Sequence, residues 1–211
     1  MRILIEIQYL PSIAYFASLD NSTEIILEKH EHFVKQSYRN RCQIVSSQGF
    51  QNLIIPVSTN RGKVLISDVR IDYRQKWVNN HWRAIQSSYG KAPFYEHYRD
   101  DLYAALNKKT ELLYDLNLDL LSMCLKWLNK TVTIKESLAY VPRPAKEILD
   151  LRSVVSVKNG QNMHFLYKPV PYTQVFGSSF AANASIIDLI FCKGPEAARI
   201  VKASAAVNEQ M

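Results

Sequence analysis

The sequence predicts a mixed α/β (α+β) domain, in which one mixed sheet packs against a central block of helices. Short Ile- and Leu-rich segments near the N terminus are typical of buried strands. Turn residues between later segments favour antiparallel hairpins, and the middle of the chain has helical spacing of apolar residues. With 211 residues, 47% hydrophobic and 21% charged, the composition is that of a folded protein. We expect one domain over 1–211, with a less regular subregion at 142–183.

The first third of the chain supplies most of the predicted strands. They are 3–9, 24–28, 41–46, 51–57 and 63–71. Pro11 suits the first turn of a helix between the first two strands, and Gln48-Gly49 suits a hairpin turn. Because neighbouring hairpin signals imply antiparallel pairing, the sheet is expected to be mixed rather than purely parallel.

Helices are predicted mainly in the middle and at the end of the chain. They are 81–89, 94–109, 111–130, a short one at 145–151, 185–191 and 196–207. In the third helix, apolar residues recur every three or four positions. Further strands are expected at 131–137 and near Val154 and Phe165, which would join the sheet from the C-terminal side.

Composition limits the classes of function. No apolar run approaches the roughly 20 residues of a membrane span, and Glu6 and Gln8 interrupt the apolar start, unlike a secretion signal. Three widely spaced cysteines, an odd number, fit no disulfide framework. They fit a reducing compartment, so a cytoplasmic location is expected. The net charge of +7 favours anionic partners, such as nucleotide sugars, phosphosugars, activated acyl donors or nucleic acid.

The stretch "HEHFVKQSYRNR", from His30 to Arg41, is the densest group of residues that bind anions or transfer protons. His30 and His32 are candidate catalytic bases, because histidine titrates near neutral pH. Their H-x-H spacing also occurs in metal sites. No further ligand lies nearby in the sequence, so we assign no metal, and the cofactor stays unknown.

Basic and aromatic residues around these histidines are candidates for substrate binding. The set is Tyr9, Lys35, Tyr38, Asn40, Arg41, Tyr89 and Lys91. Together with Arg39, the cations Lys35 and Arg41 would hold phosphate, and the tyrosines would line the pocket. The turn at Tyr89-Gly90-Lys91 could stack on a sugar ring or a base, or could simply be an interhelical turn with packed aromatic residues.

Cys42 and Asp188 can each be interpreted as structural or as functional. Cys42 follows Arg41, and positive charge activates thiols, but the sequence favours a small buried strand residue over a nucleophile. Asp188 lies in the apolar segment "SIIDLIF". A buried carboxylate needs a partner, so we expect Asp188 to be a structural buried partner of Arg41.

Four stretches, in this order, resemble the WbqC-like family, in the long form common in Bacteroidetes-type bacteria. They are "IQYLPSIAYF", "HEHFVKQSYRNR" followed by "LIIPV", "HWRAIQSSYGKAPFYEHY" and "SIIDLIFCKGPEA". Many members carry His-Gln-Pro before Asn-Tyr-Leu-Pro, whereas this chain has Ile5-Glu6-Ile7-Gln8-Tyr9. The resemblance implies a role in O-antigen or other cell-surface polysaccharide synthesis, as a transferase of acyl or aminoacyl groups to an amino sugar.

The residues themselves leave two functions open. One is a transferase that acts on an anionic small-molecule donor. The other is a non-catalytic module that binds an anionic polymer, nucleic acid or a protein partner, because Tyr73-Arg74-Lys76-Trp77 also alternates basic and aromatic residues. A deep pocket that joins His30, Arg41 and Lys91 would favour the enzyme, and a broad basic face would favour the module.

Overall fold

The computed structural model describes residues 1–58, 62–156, 165–177 and 179–206. In chain order, the strands are β1 (Arg2–Ile5), β2 (Glu24–Leu27), β3 (Arg41–Ser46), β4 (Gly49–Ile54), β5 (Val57–Ser58), β6 (Arg70–Ile71), β7 (Thr133–Glu136) and β8 (Ile148–Asp150). The α-helices are α1 (Ile13–Ser18), α2 (Trp77–Tyr89), α3 (Tyr95–Asn107), α4 (Leu113–Trp127), α5 (Ile186–Lys193) and α6 (Ala197–Ser204).

A four-stranded parallel sheet, in the order β7-β2-β1-β8, forms the centre of the fold. The central strands carry Ile and Leu at almost every position, as expected where helices cover both faces of a sheet. Helix α1 makes the crossover from β1 to β2, and all six of its residues are buried. Parallel pairing places the carboxyl ends of all four strands at one edge.

Antiparallel pairs lie outside this sheet. β3 and β4 form the predicted hairpin, and β5 pairs with β6 in a second small ribbon. At the hairpin turn Gly49 has φ 94°, a conformation that favours glycine. The mixed α/β class is therefore confirmed, but parallel and antiparallel strands occupy separate sheets rather than the expected single mixed sheet.

The central helices follow the sequence pattern closely. α3 and α4 lie within the predicted ranges, whereas α2 begins at Trp77, before the expected start. α5 has seven of its eight residues buried, and its first-turn backbone is tied to the hairpin, where Ser185 N donates to Gln43 O at 2.7 Å. This bond brings the late segment against the early one.

Two regions differ from the sequence prediction. Residues 63–71 form a 3₁₀ turn, Ile66–Asp68, followed only by the two-residue β6. The expected helix at 145–151 is instead strand β8, because its backbone pairs with the open side of β1. Val154 and Phe165 lie in turns rather than strands.

One connected hydrophobic cluster extends from Ile3 to Val201. It includes residues of the sheet, the hairpin and the helices α1 to α6, so the segments at the two ends of the described chain share a core. Among the described residues, no helix has the length and apolarity needed to cross a membrane.

Candidate functional site at the carboxyl edge of the sheet

The carboxyl ends of the parallel strands bring polar side chains together. Glu6 follows β1, Glu28 follows β2, Ser137 follows β7, and Arg152 follows β8. Open α/β sheets bind ligands at this edge, near the point where the connections diverge. Here that point lies between β1 and β8, because the chain leaves β1 towards β2 but reaches β8 on the opposite side.

Glu28 connects three of these strand ends. Its Oε1 accepts from Ser137 Oγ at 2.7 Å and from the backbone N of His30 at 3.0 Å. Its Oε2 accepts from Val141 N at 3.1 Å and from Arg152 Nη1 at 3.2 Å. Glu28 is fully buried, and a carboxylate tolerates burial only with such a complete set of donors.

Arg152 is held in one orientation at the end of β8. Its Nε and Nη2 donate to the two oxygens of Asp150 at 2.9 and 2.6 Å. The guanidinium also lies 5.3 Å from the ring centroid of Tyr140, within the range of a cation–π contact. Asp150 and Glu28 therefore hold Arg152 between them, and it is a fixed cation rather than a mobile one.

Glu6 differs from Glu28 in its partners. It is 1% exposed and accepts from Gln8 Nε2 at 2.9 Å and from Ser153 N at 2.7 Å. Both donors are neutral, and no described Lys, Arg or His forms a salt bridge with it. Glu6 nevertheless lies close enough to the buried Arg39 to help raise the pKa of that guanidinium, so a cation of the fold already faces it.

Glu31 and Arg39 form a buried, two-pronged ion pair, with Nε and Nη2 each 2.6 Å from a carboxylate oxygen. Burial raises the pKa of Glu31, although Arg39 opposes the shift. Glu31 in turn keeps the pKa of Arg39 above its ordinary value in spite of burial. Asn117 also donates to the Arg39 carbonyl. The sequence predicted that Arg39 binds phosphate, but in the structure its side chain is already paired with Glu31.

The two predicted catalytic histidines lie in the segment that follows β2, immediately before and after Glu31 in the sequence. His30 is partly buried, and Glu28 fixes its backbone. His32 is exposed and forms an antiparallel bridge with Leu65. Leu65 lines a cavity of about 660 Å³, together with Lys63, Asp68 and Arg70. This volume lies in the range of small-molecule sites.

The predicted substrate-binding cations remain available for anions. Lys35 and Lys91 are exposed, and neither has a salt bridge with a described residue. Arg41 is half-buried at the start of β3, and its Nε has no hydrogen bond to the part of the chain described. Burial raises the pKa of the Tyr38 phenol, and the nearby Arg41 opposes that shift. Asn40 is buried, and its side-chain amide donates to Ile55 O.

Tyr9 and Tyr89 are fully buried, contrary to the expectation that they line an open pocket. Tyr9 Oη lies 3.0 Å from His81 Nδ1, and His81 Nε2 lies 3.1 Å from the carbonyl of Ile54. The carbonyl can only accept, so Nε2 carries the proton and Nδ1 accepts from Tyr9. Burial lowers the pKa of His81 to about 4, which keeps it neutral. Tyr89 Oη accepts from Val45 N, and its ring packs on Phe191.

The predicted pairing of Arg41 with Asp188 is wrong. Asp188 is fully buried, as expected, but its Oδ2 accepts from Tyr172 Oη at 2.5 Å and from Gln174 Nε2 at 2.8 Å. A protonatable carboxyl held by neutral donors needs no arginine, and burial raises its pKa. The two ends of the chain meet through backbone bonding of Ser185 to Gln43 instead.

Cys42 does not have the surroundings of an activated nucleophile. It is buried, and burial raises the pKa of its thiol, so it is a core residue. In the Tyr73–Trp77 segment, Trp77 is 3% exposed and Arg74 is paired with Asp72, whereas Lys76 is exposed and has no salt bridge with a described residue. Within the described ranges, no group of three His, Cys, Asp or Glu side chains is arranged to hold a metal.

The sequence interpretation missed Glu6, Glu28, Glu31 and Arg152. A signal was present, because Glu6 and Glu28 each follow an apolar run that ends a strand. The expected pocket joining His30, Arg41 and Lys91 does not correspond to the cavity beside Leu65, which none of these three residues lines.

Comparison with known proteins agrees with the order of the sequence blocks. The model of the WbqC-like protein family matches residues 7–157, more than half of the chain. This chain belongs to the WbqC-like protein family. The matched region contains the strands β2 to β8 and the whole carboxyl-edge cluster apart from Glu6.

A curated relative of this WbqC-like protein is named "Uncharacterized protein Rv1507c", from Mycobacterium tuberculosis. It is 30% identical over 98 residues, which are 46% of this chain and 42% of the relative. The alignment therefore spans about two fifths of the relative's length. No solved structure matches the chain.

Proposed function

We propose that this WbqC-like protein is a transferase that moves an acyl or aminoacyl group from an activated, anionic donor to an amino sugar used in cell-surface polysaccharide. The proposal is supported chiefly by the position of His30–His32, which follows the carboxyl end of β2 and pairs through the His32 backbone with Leu65, a residue that lines the cavity. Fixed carboxylates and cations lie next to this segment, which suits a reaction between an amine and an anion.

The reaction needs a base, because an amine attacks a carbonyl only in its neutral form. His30 or His32 accepts the proton, the new N–C bond forms, and the bond from the acyl carbon to the donor's leaving group breaks. Lys63, which has no salt bridge within the described part of the chain, can hold an anionic group of the donor in the cavity.

Donor binding can be tested by thermal shift with nucleotide sugars, phosphosugars, acyl phosphates and acyl thioesters. We expect at least one class to raise the unfolding temperature of the wild type, and Lys63→Ala to reduce that shift. Failure of the whole panel to stabilise folded protein would contradict the proposal.

Catalysis is then assayed with the stabilising donor and an amino sugar. His30→Ala and His32→Ala should keep the wild-type unfolding temperature and the donor-induced shift, while one of them loses at least about a hundredfold in turnover. His97→Ala is the matched control, because His97 is exposed on α3, outside the proposed site.

A second candidate function is binding of an anionic polymer, including nucleic acid. It is favoured by Lys35, which lies in a run of exposed residues and has no salt bridge with a described residue. Retention on a polyanion resin that falls with salt, and that no small ligand competes, would support this module over the transferase.

A further inference from the structure

Two adjoining cavities lie away from the carboxyl edge, between the β3–β4 hairpin, the end of α2 and the loop before α5. The first, about 500 Å³, is lined by Ser46, Ser47, Gln48, Phe50, Gln51, Asn52, Ser87, Ser88 and Phe176. The second, about 400 Å³, is lined by Pro171, Tyr172, Thr173, Gln174, Phe176, Gly177, Ser179 and Phe180. Phe176 lines both cavities, so they adjoin at this residue, and we call the two together the groove.

No charged side chain lines this groove among the described residues. The chain as a whole is 21% charged and has a net charge of +7, so a lining composed only of hydroxyl, amide, aromatic and small residues is unusual. Its ligand therefore has no charge that needs a counter-ion, because a buried charge without a partner is costly.

Several polar groups in the groove are free to bind a ligand. Gln48, Gln51, Asn52, Ser87 and Thr173 are exposed, and their side chains form no hydrogen bond with other described residues. Hydroxyl and amide groups both donate and accept, which matches a ligand whose own groups do both.

Aromatic rings stand beside these polar groups. Phe50 is 47% exposed on β4, although a phenylalanine is normally covered. Phe176 and Phe180 are half-buried in the loop, and the Phe180 ring lies edge-on to Tyr172 at 5.2 Å. The negative face of an aromatic ring attracts weakly positive C–H groups.

The described segments 171–177 and 179–181, which carry Phe176 and Phe180, are bonded to each other. Gln174 joins them, because its Oε1 accepts from Ala181 N at 2.8 Å and its Nε2 donates to Ala181 O at 3.1 Å. Gln174 Nε2 and Tyr172 Oη also donate to the buried Asp188 of α5. The groove is thus largely formed before any ligand arrives, which lowers the entropic cost of binding.

We propose that this groove binds a neutral saccharide chain. A sugar ring presents hydroxyls that donate and accept at its rim and C–H groups on its faces, which together match the free amides, hydroxyls and phenyl rings. An anionic polymer would find no cation here. An extended peptide could pair with the free edge of β4, but that pairing uses backbone and does not require Phe176. The proposal is independent of the transfer reaction.

Binding can be measured by saturation-transfer NMR and calorimetry with linear tetrasaccharides of glucose, galactose, mannose and N-acetylglucosamine. The wild type should bind at least one of them saturably and with little salt dependence. Phe50→Ala and Phe176→Ala should each weaken binding about tenfold, as loss of one ring contact implies. Tyr103→Ala is the matched control, since Tyr103 is also 47% exposed but lies on α3 outside the groove.

Three results would overturn the proposal: no saturable binding of any of these sugars, binding that both phenylalanine variants leave unchanged, or preference for a uronic-acid tetrasaccharide that salt abolishes. If Phe176→Ala does not fold, Phe50→Ala decides, because its ring is exposed. His30→Ala should bind the saccharide like the wild type, so failure of the transferase proposal and failure of the groove are separable.

Discussion

Two buried acids, Glu31 beside the carboxyl edge and Asp188 on α5, are satisfied in different ways. Glu31 meets Arg39 in a direct ion pair, whereas Asp188 meets only neutral donors. The cost of removing a partner should therefore differ between the two acids, because an ion pair leaves a charge behind when it is broken.

Arg39→Ala should reduce the free energy of unfolding by about 3–5 kcal/mol, because it leaves the Glu31 carboxylate buried without its partner. Urea denaturation measures this loss. Lys108→Ala is the control: its pair with Asp119 is exposed at 63% and 40%, so its loss should cost less than about 1 kcal/mol. Equal effects of the two substitutions would show that Glu31–Arg39 is not a buried pair.

Asp188 should make stability depend on pH. Burial raises its pKa above the ordinary 3.8, although hydrogen bonds from Tyr172 and Gln174 oppose the shift. An acid with a raised folded-state pKa binds more protons in the native state, so its contribution is full below the unfolded pKa and is lost as pH rises through the folded one. In Asp188→Asn this decline should be smaller. The measurement is the free energy of unfolding of both proteins from pH 4 to 8. If it changed with pH by the same amount in the wild type and in Asp188→Asn, the argument would be contradicted.

Secondary-structure elements were predictable where one face or the whole element is buried. Helices α3 and α4 and the β3–β4 hairpin follow from local spacing and turn residues. β8 was missed because only three residues form it, and its strand conformation comes from pairing with β1, far away in sequence. Propensity alone cannot indicate such a tertiary contact.

Breaking β8 should disturb the carboxyl edge. The Leu151 N–H bonds to Leu4 O, and N–H groups alternate along a strand, so Leu149 N also points towards β1. Leu149→Pro should therefore cost about 3 kcal/mol or more and displace Arg152 from Glu28. Lys146→Pro is the control, because it falls at the second position of the turn closed by Ile148 N and Ala145 O. Hydrogen exchange at β1 and β2 amides should rise only in the first variant.

At the scale of the whole molecule, the candidate site was only partly predictable. His30, His32 and Lys35 were found because their polar density is visible locally. Ser137 and Arg152 meet at Glu28 only because four parallel strands end at one edge, and the expected mixed sheet would have placed them differently. Tyr9 and Tyr89 were expected to line a pocket, but both are buried in the core. The sequence alone does not show whether a tyrosine faces the core or a pocket.

The last segment of the chain should be needed for folding, although the family match ends at residue 157. Helix α5 is buried along seven of its eight residues and contacts α1, α2, α3, α4 and β3, so its loss would expose much of the core. A chain of residues 1–157 should lack a cooperative urea transition and sharp amide NMR dispersion.

Co-expression with residues 158–211 should restore both properties, since the missing contacts would be supplied in trans. If the 1–157 chain alone unfolded cooperatively with near-wild-type stability, α5 would be an accessory to a smaller independent core rather than part of it. The bonds from Ser185 N to Gln43 O and from Ile186 N to Pro11 O argue for the shared core, because both join the late segment to backbone groups that would otherwise be left unpaired.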